Sequence, residues 1–480
     1  MKNLKKIILS FALIIVSIFC SFTLSGCFNN EPVSIVSVTK TNTVGLVDTY
    51  TITYSDGKTS TFTVTNGKNG IDGKDGTDFN ISKVYEQYVE TYGEISYQDF
   101  LKQYLTVNEN SGENIKVINS CLQSSMKVYA EFIETISDYF STTTDTNIYT
   151  GSAIIYKIES EYSYIITNYH VVYSSKAAQT NGSNIARKIK GYLYGSEGYP
   201  VKQEQKEDGY TAYDYGNYAI NMEYVGGSIT NDIAIMRAKT ADIFAVNPNA
   251  KAVTLAETYY VGETAIAIGN PEDEGISVTE GIVSVDNENI QLAIDNTTRS
   301  YRSIRIDTAI YTGNSGGGLY NSKGQLIGIT NAGDSADQNV NYAIPLPVVK
   351  NTIENILHYY KGDGVAVNAH KIKLGITVMS ENSKYTYNEV LGYGKITENV
   401  VITEIENSCI AKTMQLQTDD IIKSIFINNK EYTIDRSFNI SDIILNMRVN
   451  DVITIKVVRN NTEVTCESYT ITNQDIIVLE

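Results

Sequence analysis

Three side chains spread along the middle of the chain could together attack a carbonyl carbon. Ser315 lies in Gly313-Asn314-Ser315-Gly316-Gly317-Gly318, between the runs IRIDTAIYT and LYNSKGQLIGIT. Small residues around a serine give the backbone left-handed freedom and leave room for a substrate carbonyl. They also leave N–H groups free to face a developing oxyanion. Such a serine needs a base that works near neutral pH, and histidine is the usual one. There are 3 histidines. His170 closes the apolar run YSYIITNYH, His358 lies in the helical pattern NTIENILHYY, and His370 lies in a short polar linker. A buried carboxylate would hold the imidazole tautomer, and Asp232, directly before the apolar run IAIM, suits that place. Each residue also fits a structural role: a glycine-rich hairpin, a histidine packed at a strand end, an aspartate in a turn.

The elements that must position these groups are short. Residues 141–360 read as apolar, β-branched runs separated by turn signals, which predicts a mainly β body. Two six-stranded barrels with the site in the cleft between them fit this pattern, closed by a helix over Leu346–Tyr360. The segment Tyr173–Gly227, between base and acid, reads as strands with an enlarged surface loop.

TNYHVV, NDIAIMR, AIGNP, TEGIVS, the block IRIDTAIYTGNSGGGLYNSKGQLIGIT and NYAIPL follow one another in one order. Together they resemble the trypsin-like serine proteases of the HtrA/DegP (Do) family over residues 148–360, with a weaker match to about 475. The resemblance implies a chymotrypsin-like double β-barrel and a serine endopeptidase acting through an acyl-enzyme. Ser315 would be the nucleophile, His170 the general base and Asp232 its orienting acid. The N–H groups of Gly313 and Ser315 would form the oxyanion hole, with Asn314 shaping the loop. The strand Ile329, Thr330, Asn331, Ala332 and Gly333 would line the primary specificity pocket. It carries no acidic residue, so small or medium aliphatic side chains are expected there. Gly318 stands where many relatives have proline or alanine. A third glycine is expected to loosen the loop.

Residues 371–480 resemble a PDZ domain, with an accessory β-domain of another kind as the alternative. Leu374, Gly375 and Ile376 in LGITV would present N–H groups to a peptide carboxylate, and the peptide would add a strand to the sheet edge. Gln415 and Asp419 stand where relatives usually have glycine, so strained or rearranged turns are expected there.

The N-terminus carries an address. Lys2, Lys5 and Lys6 precede the apolar run Ile7–Phe22, the pattern of a secretory signal over residues 1–26. Leu24-Ser25-Gly26-Cys27 resembles a lipobox, which implies a diacylglycerol on Cys27 and an anchor on the extracytoplasmic face of a bacterial cell membrane. Each acyl chain would contribute roughly 0.8 kcal/mol per buried CH₂. Of the 5 cysteines, Cys20 would leave with the signal, and Cys121, Cys409 and Cys466 show no disulfide or metal spacing. No cofactor or metal is expected.

Residues 27–80 combine alternating runs around the turn signal Asp56-Gly57, a small β-module, with glycines at 67, 70, 73 and 76. That period fits a flexible spacer or a short collagen-like segment, and the latter would match the homotrimer usual in the family. Residues 81–140 show apolar residues at three- and four-residue spacing and are expected to be helical, including the whole run NIKVINSCLQSSMKVYAEFIETISDYF. The net charge of −17, without a basic stripe, argues against nucleic acid as a partner. Unfolded or exported proteins and peptide C-termini are the expected partners. The alternatives are a catalytically weak scaffold or chaperone and a glutamyl-endopeptidase-like surface protease.

Overall fold

The computed structural model describes residues 35–44, 47–65, 110–137, 141–177, 184–294, 297–333, 337–390 and 392–479, with isolated positions at 85, 89–90, 93 and 96. The expected signal sequence, Cys27 and the glycine repeat at 67–76 lie outside the described residues. The chain forms two compact units, divided near residue 107.

The first unit holds a three-stranded antiparallel sheet: β1 (Ile35–Val44), β2 (Val47–Tyr54) and β3 (Thr59–Thr65). Asp56-Gly57 turns β2 into β3, with Gly57 left-handed at φ 80°. Tyr50 stacks on Phe62 across the pair at 5.3 Å between ring centroids.

The second unit opens with helix α1 (Asn110–Leu122). The helical expectation stops there, because Ser125–Ser137 is a strand, β4. Val128 and Phe132 are four apart, as in a helix, but Met126, Val128, Ala130 and Phe132 also alternate, and the alternation decides. Both faces of β4 are buried, with Lys127, Glu131 and Glu134 among them. Long-range partners for these charges, invisible to a local pattern, make this tolerable. The first barrel therefore begins near residue 125 rather than 141.

Strands β4, β5 (Thr142–Ile158), β6 (Tyr162–Thr167), β7 (Lys188–Leu193), β10 (Ile220–Ser228) and β11 (Ile233–Lys239) close on themselves, since β11 pairs with both β6 and β10. The enlarged segment between base and acid supplies β7, β10 and the projecting hairpin β8 (Val201–Glu207) and β9 (Tyr210–Asp214). A second barrel closes through β17 and β18: β13 (Thr264–Gly269), β14 (Ser277–Ala293), β15 (Thr298–Ile306), β16 (Gly318–Tyr320), β17 (Gln325–Gly333) and β18 (Asn341–Pro345). Each six-stranded barrel carries one added strand, β19 (Val367–Asn368) on the first and β12 (Thr254–Leu255) on the second. Closure removes the unpaired edges of both sheets.

Two short helices sit on the first barrel, α2 (Tyr169–Val172) and α3 (Thr240–Val246), and α4 (Leu346–Tyr359) follows the second. Val349, Ile353 and Ile356, on one face of α4, enter a core shared with Ile235, Ile266 and Ile329.

Residues 370–479 build a separate core around Ile402, Ile425, Ile455 and Met414. Its strands are β20 (His370–Ile372), β21 (Ile376–Asn388), β22 (Tyr393–Ile405), β23 (Ile421–Ile427), β24 (Lys430–Thr433), β25 (Val452–Arg459), β26 (Thr462–Thr465), β27 (Tyr469–Thr470) and β28 (Ile476–Val478). The sheet runs β21-β22-β23-β25-β26, and β20 pairs with β28. Helices α5 (Ile410–Thr413) and α6 (Phe438–Ile444) complete the domain. Gln415 and Asp419 adopt left-handed φ values of 61° and 68°. Both turns thus keep the conformation that glycine would hold without strain.

Candidate active site

Asp232 is fully buried in the turn that leads into β11, with a left-handed φ of 52°. The turn is fixed from outside: the Tyr301 hydroxyl donates to the Ile229 carbonyl at 2.9 Å, and Asn231 Nδ2 donates to Thr352 Oγ1 at 2.8 Å. His170 lies on the single turn α2, directly after β6. Asp232 Oδ1 accepts the His170 backbone N–H at 3.0 Å, and Oδ2 lies 2.8 Å from ring Nδ1. An ionised carboxylate only accepts, so Nδ1 carries the proton and Nε2 is left as the basic nitrogen. Burial opposes the imidazolium, but the charge and hydrogen bond of Asp232 win and raise the His170 pKa above 6.5.

Ser315 belongs to the loop between β15 and β16. Gly316 has φ 87°, and a Cβ there would run into Thr167 Oγ1 and the Ser152 carbonyl. Only glycine allows the loop to lie this close to the first barrel. The Ser315 carbonyl accepts from Ser152 N–H at 2.9 Å, which ties the barrels together next to the serine. Ser315 Oγ donates to the Asn331 carbonyl at 3.2 Å. Among the described residues that is its hydrogen bond, and none to His170 is formed.

Gly313 (φ 97°) lies against Asn270, whose carbonyl leaves no space for a side chain. Among the described residues the N–H groups of Gly313 and Ser315 donate to no partner. Asn314 is buried, and its carbonyl accepts from Gly317 N–H at 2.9 Å and Thr330 Oγ1 at 2.6 Å. Gly318 does not loosen this loop. It is the first residue of β16, paired with Ile268 and Ile329. A Cβ there would run into the ring of Tyr320, so its smallness serves packing.

His170, Ser315 and Gly313 line one cleft of about 490 Å³, with Asn331, Ala332 and Ile294 among its other walls. Ile329 and Thr330, expected in the pocket, do not face it. Ile329 enters the barrel core, and Thr330 Oγ1 bonds the carbonyls of Asn314 and Gly317. Both are regularly paired with β18, and a register shift follows between Thr330 and Ala332 that leaves Asn331 outside the β17–β18 pairing. Asn331 is 5% exposed, and neither side-chain amide atom has a partner among the described residues.

His358 and His370 do not line the cleft. Leu374 is buried, Gly375 has φ 78°, and their carbonyls accept from Ala411 and Glu406 N–H at 3.0 and 2.9 Å. Ile376 starts β21, which among the described residues pairs only with β22, on one of its edges.

Several supporting groups gave no signal in the sequence. Buried Glu134 accepts from Ser174 Oγ and, at 3.0 Å, from the Tyr149 hydroxyl, both on the cleft wall. Ser152 Oγ donates to the Gly313 carbonyl at 2.7 Å and accepts from Asn270 N–H at 2.8 Å. These contacts span tens to hundreds of residues and follow no periodicity.

Comparison with known proteins agrees with this geometry. The family model for the trypsin-like peptidase domain matches residues 151–329. The chain is 28% identical over 331 residues to the serine protease Do-like HtrA of Bacillus subtilis (strain 168), covering 67% of this chain and 63% of the relative. It is 28% identical over 315 residues to Do-like HtrB of the same organism, covering 64% and 59%. It thus spans less than two thirds of the length of these relatives. Do-like HtrA of Lactococcus lactis subsp. cremoris (strain MG1363) is 24% identical over 325 residues, covering 66% and 69%. Among solved structures, HtrA-type protease AlgW with decapeptide is similar at 23% identity and a TM-score of 0.44, covering 75% of this chain and 98% of that one. Residues 151–329 thus match the trypsin-like peptidase domain, and the chain is similar to HtrA-type serine proteases.

Proposed function

We propose that the protein is a membrane-tethered, extracytoplasmic serine endopeptidase that cuts unfolded or exported proteins. One observation carries this reading: Asp232, buried, binds the main chain and ring of His170, whose cleft also holds Ser315 and two N–H groups without a partner among the described residues. The Ser315 hydroxyl exchanges its bond to Asn331 for one to Nε2 as the reaction starts. His170 takes the Oγ proton as Oγ bonds to the scissile carbon, and the carbonyl electron pair moves onto oxygen. The N–H groups of Gly313 and Ser315 receive that oxyanion. His170 then gives its proton to the leaving amine, and the acyl-Ser315 ester remains. Water, deprotonated by His170, attacks the ester, and Ser315 takes its proton back as the acid leaves. Asp232 stabilises the imidazolium in each half.

The secretory pattern and Cys27 support export and a lipid anchor. The edge of β21 without a strand partner among the described residues, next to Leu374, Gly375 and Ile376, supports a PDZ-like groove for peptide C-termini. Neutral Asn331 and Ala332 support a preference for uncharged side chains at the cleavage point.

A second reading, a binding protein that keeps a protease fold, is favoured by the bond from Ser315 to Asn331. One experiment separates the two. Residues 28–480 are incubated with an unfolded protein and with a fluorophosphonate. Cleavage and labelling that both disappear in Ser315→Ala support the protease. Cleavage that survives in Ser315→Ala, or its absence in the unaltered chain, rejects it.

A further inference from the structure

Lys127 is fully buried on β4, an uncommon place for an ammonium group. Its Nζ lies 2.9 Å from Asp273 Oδ1 and 3.1 Å from the Asp273 carbonyl, and 4.0 Å from the ring centroid of Tyr199. Asp273 is far away in sequence, in the turn after β13. Its carboxylate also accepts from the Tyr129 hydroxyl at 2.8 Å and from Thr150 Oγ1 at 2.9 Å. Asn270 Nδ2 adds a longer bond at 3.3 Å. Burial pushes the Asp273 pKa up, yet the bonds from Lys127, Tyr129, Thr150 and Asn270 bring it below the ordinary value.

This clamp holds a strained piece of backbone. Glu272 and Asp273 are both left-handed, with φ of 52° and 65°, a conformation that non-glycine residues adopt at a cost. The strain has a geometric result. The turn aims the Glu272 N–H at the Thr312 carbonyl, which accepts it at 2.7 Å. A trans peptide points its C=O and N–H in opposite directions. Fixing the Thr312 carbonyl on Glu272 therefore turns the Gly313 N–H the other way, where it has no partner among the described residues. Thr312 and Gly313 both line the cleft.

We propose that Lys127 and Asp273 are a positioning pair for the oxyanion hole. They lock the turn at 270–275 so that Glu272 keeps the Thr312–Gly313 peptide in the orientation that offers its N–H to the substrate. Neither residue touches substrate. This rests on the protease reading above.

The test compares unaltered residues 28–480 with Asp273→Asn and Lys127→Met, using a peptide substrate and a peptide boronic acid, whose tetrahedral adduct occupies the oxyanion hole. The expected result is a fall in kcat of roughly 10- to 100-fold, short of the roughly 100- to 1,000-fold loss from deleting an oxyanion donor outright. KM stays within about twofold, and boronate affinity falls in step with kcat/KM, as an interaction made only in the transition state requires. A merely structural pair would lower the melting temperature and leave kcat and boronate affinity of the folded fraction unchanged, and that result overturns the proposal. Should Lys127→Met not fold, Tyr129→Phe removes a neutral donor from the same carboxylate and should give a smaller loss of the same kind. An active unaltered enzyme with an unchanged Asp273→Asn removes only the positioning role. An unaltered chain that neither cleaves nor reacts with a fluorophosphonate at Ser315 removes the protease reading and the proposal with it.

Discussion

Asp232 gives one carboxylate oxygen to the main chain of His170, at 3.0 Å, and the other to its ring, at 2.8 Å. The first bond places the residue and the second sets its tautomer. A single buried group thus fixes both where the imidazole stands and which of its nitrogens is unprotonated.

Asp232→Asn separates these duties. The amide can still accept one bond, so the fold should persist, but it can present an N–H to Nδ1 and favour the wrong tautomer. We expect kcat to fall by about 10⁴-fold with little change in KM. Steady-state kinetics on a peptide substrate, with circular dichroism to verify the fold, checks this.

If His170 is the base of the proposed reaction, its raised pKa should set the acid limb of activity. Catalysis needs the neutral ring, and Asp232 favours the charged one, so kcat/KM should rise with pH through a midpoint above 6.5. Removing the carboxylate removes the two effects that raise the value and leaves burial, which lowers it. The residual activity of Asp232→Asn should therefore have its acid limb at lower pH than the unaltered enzyme. A limb that stays in place would detach the profile from His170.

Arg302 on β15 joins the second barrel to the C-terminal domain. Its Nη1 bonds both oxygens of buried Asp442 on α6, and its guanidinium lies 3.7 Å from the Phe438 ring centroid. Arg302→Leu strands a buried carboxylate and should weaken this junction by about 3–5 kcal/mol. Arg302→Leu with Asp442→Leu should cost far less, because no charge is left without a partner. Melting curves and the rate of proteolytic cutting in the 360–370 connection read both effects.

Gln415→Gly and Asp419→Gly should each stabilise the C-terminal domain. Both residues are left-handed at φ 61° and 68°. A side chain there costs about 1–2 kcal/mol, partly offset by the larger entropy that glycine loses on folding. A net gain of roughly 0.5–1 kcal/mol is expected, seen as a raised urea midpoint. Unchanged midpoints would mean that the side chains contribute as much as the strain costs.

What could be read in the sequence divides by distance. Ser315, His170 and Asp232 sit in short motifs whose neighbours explain them: glycines that permit a tight loop, and apolar runs that end at the cleft. The strain at Gln415 and Asp419 was legible from the absence of glycine in two turns. Lys127 and Asp273 were not, since a charge carries no mark of a partner 146 residues away. The same blindness made β4 look helical. Its buried Lys127, Glu131 and Glu134 suggest a solvated face until Asp273, Arg187 and Tyr149 are brought to them by the fold. The family resemblance implied a pocket role for Ile329 and Thr330, but the first enters the barrel core and the second bonds the Ser315 loop, a difference that the resemblance could not carry.

Gly318 and Tyr320 carry a constraint on how this chain can change. The Tyr320 ring is fully buried and occupies the volume that a methyl group on residue 318 would need. Alanine at 318 is compatible only with a smaller residue at 320, and a return from that smaller residue to tyrosine would again demand glycine. The two positions should therefore substitute together, so variants at 318 alone will misreport what the loop itself tolerates.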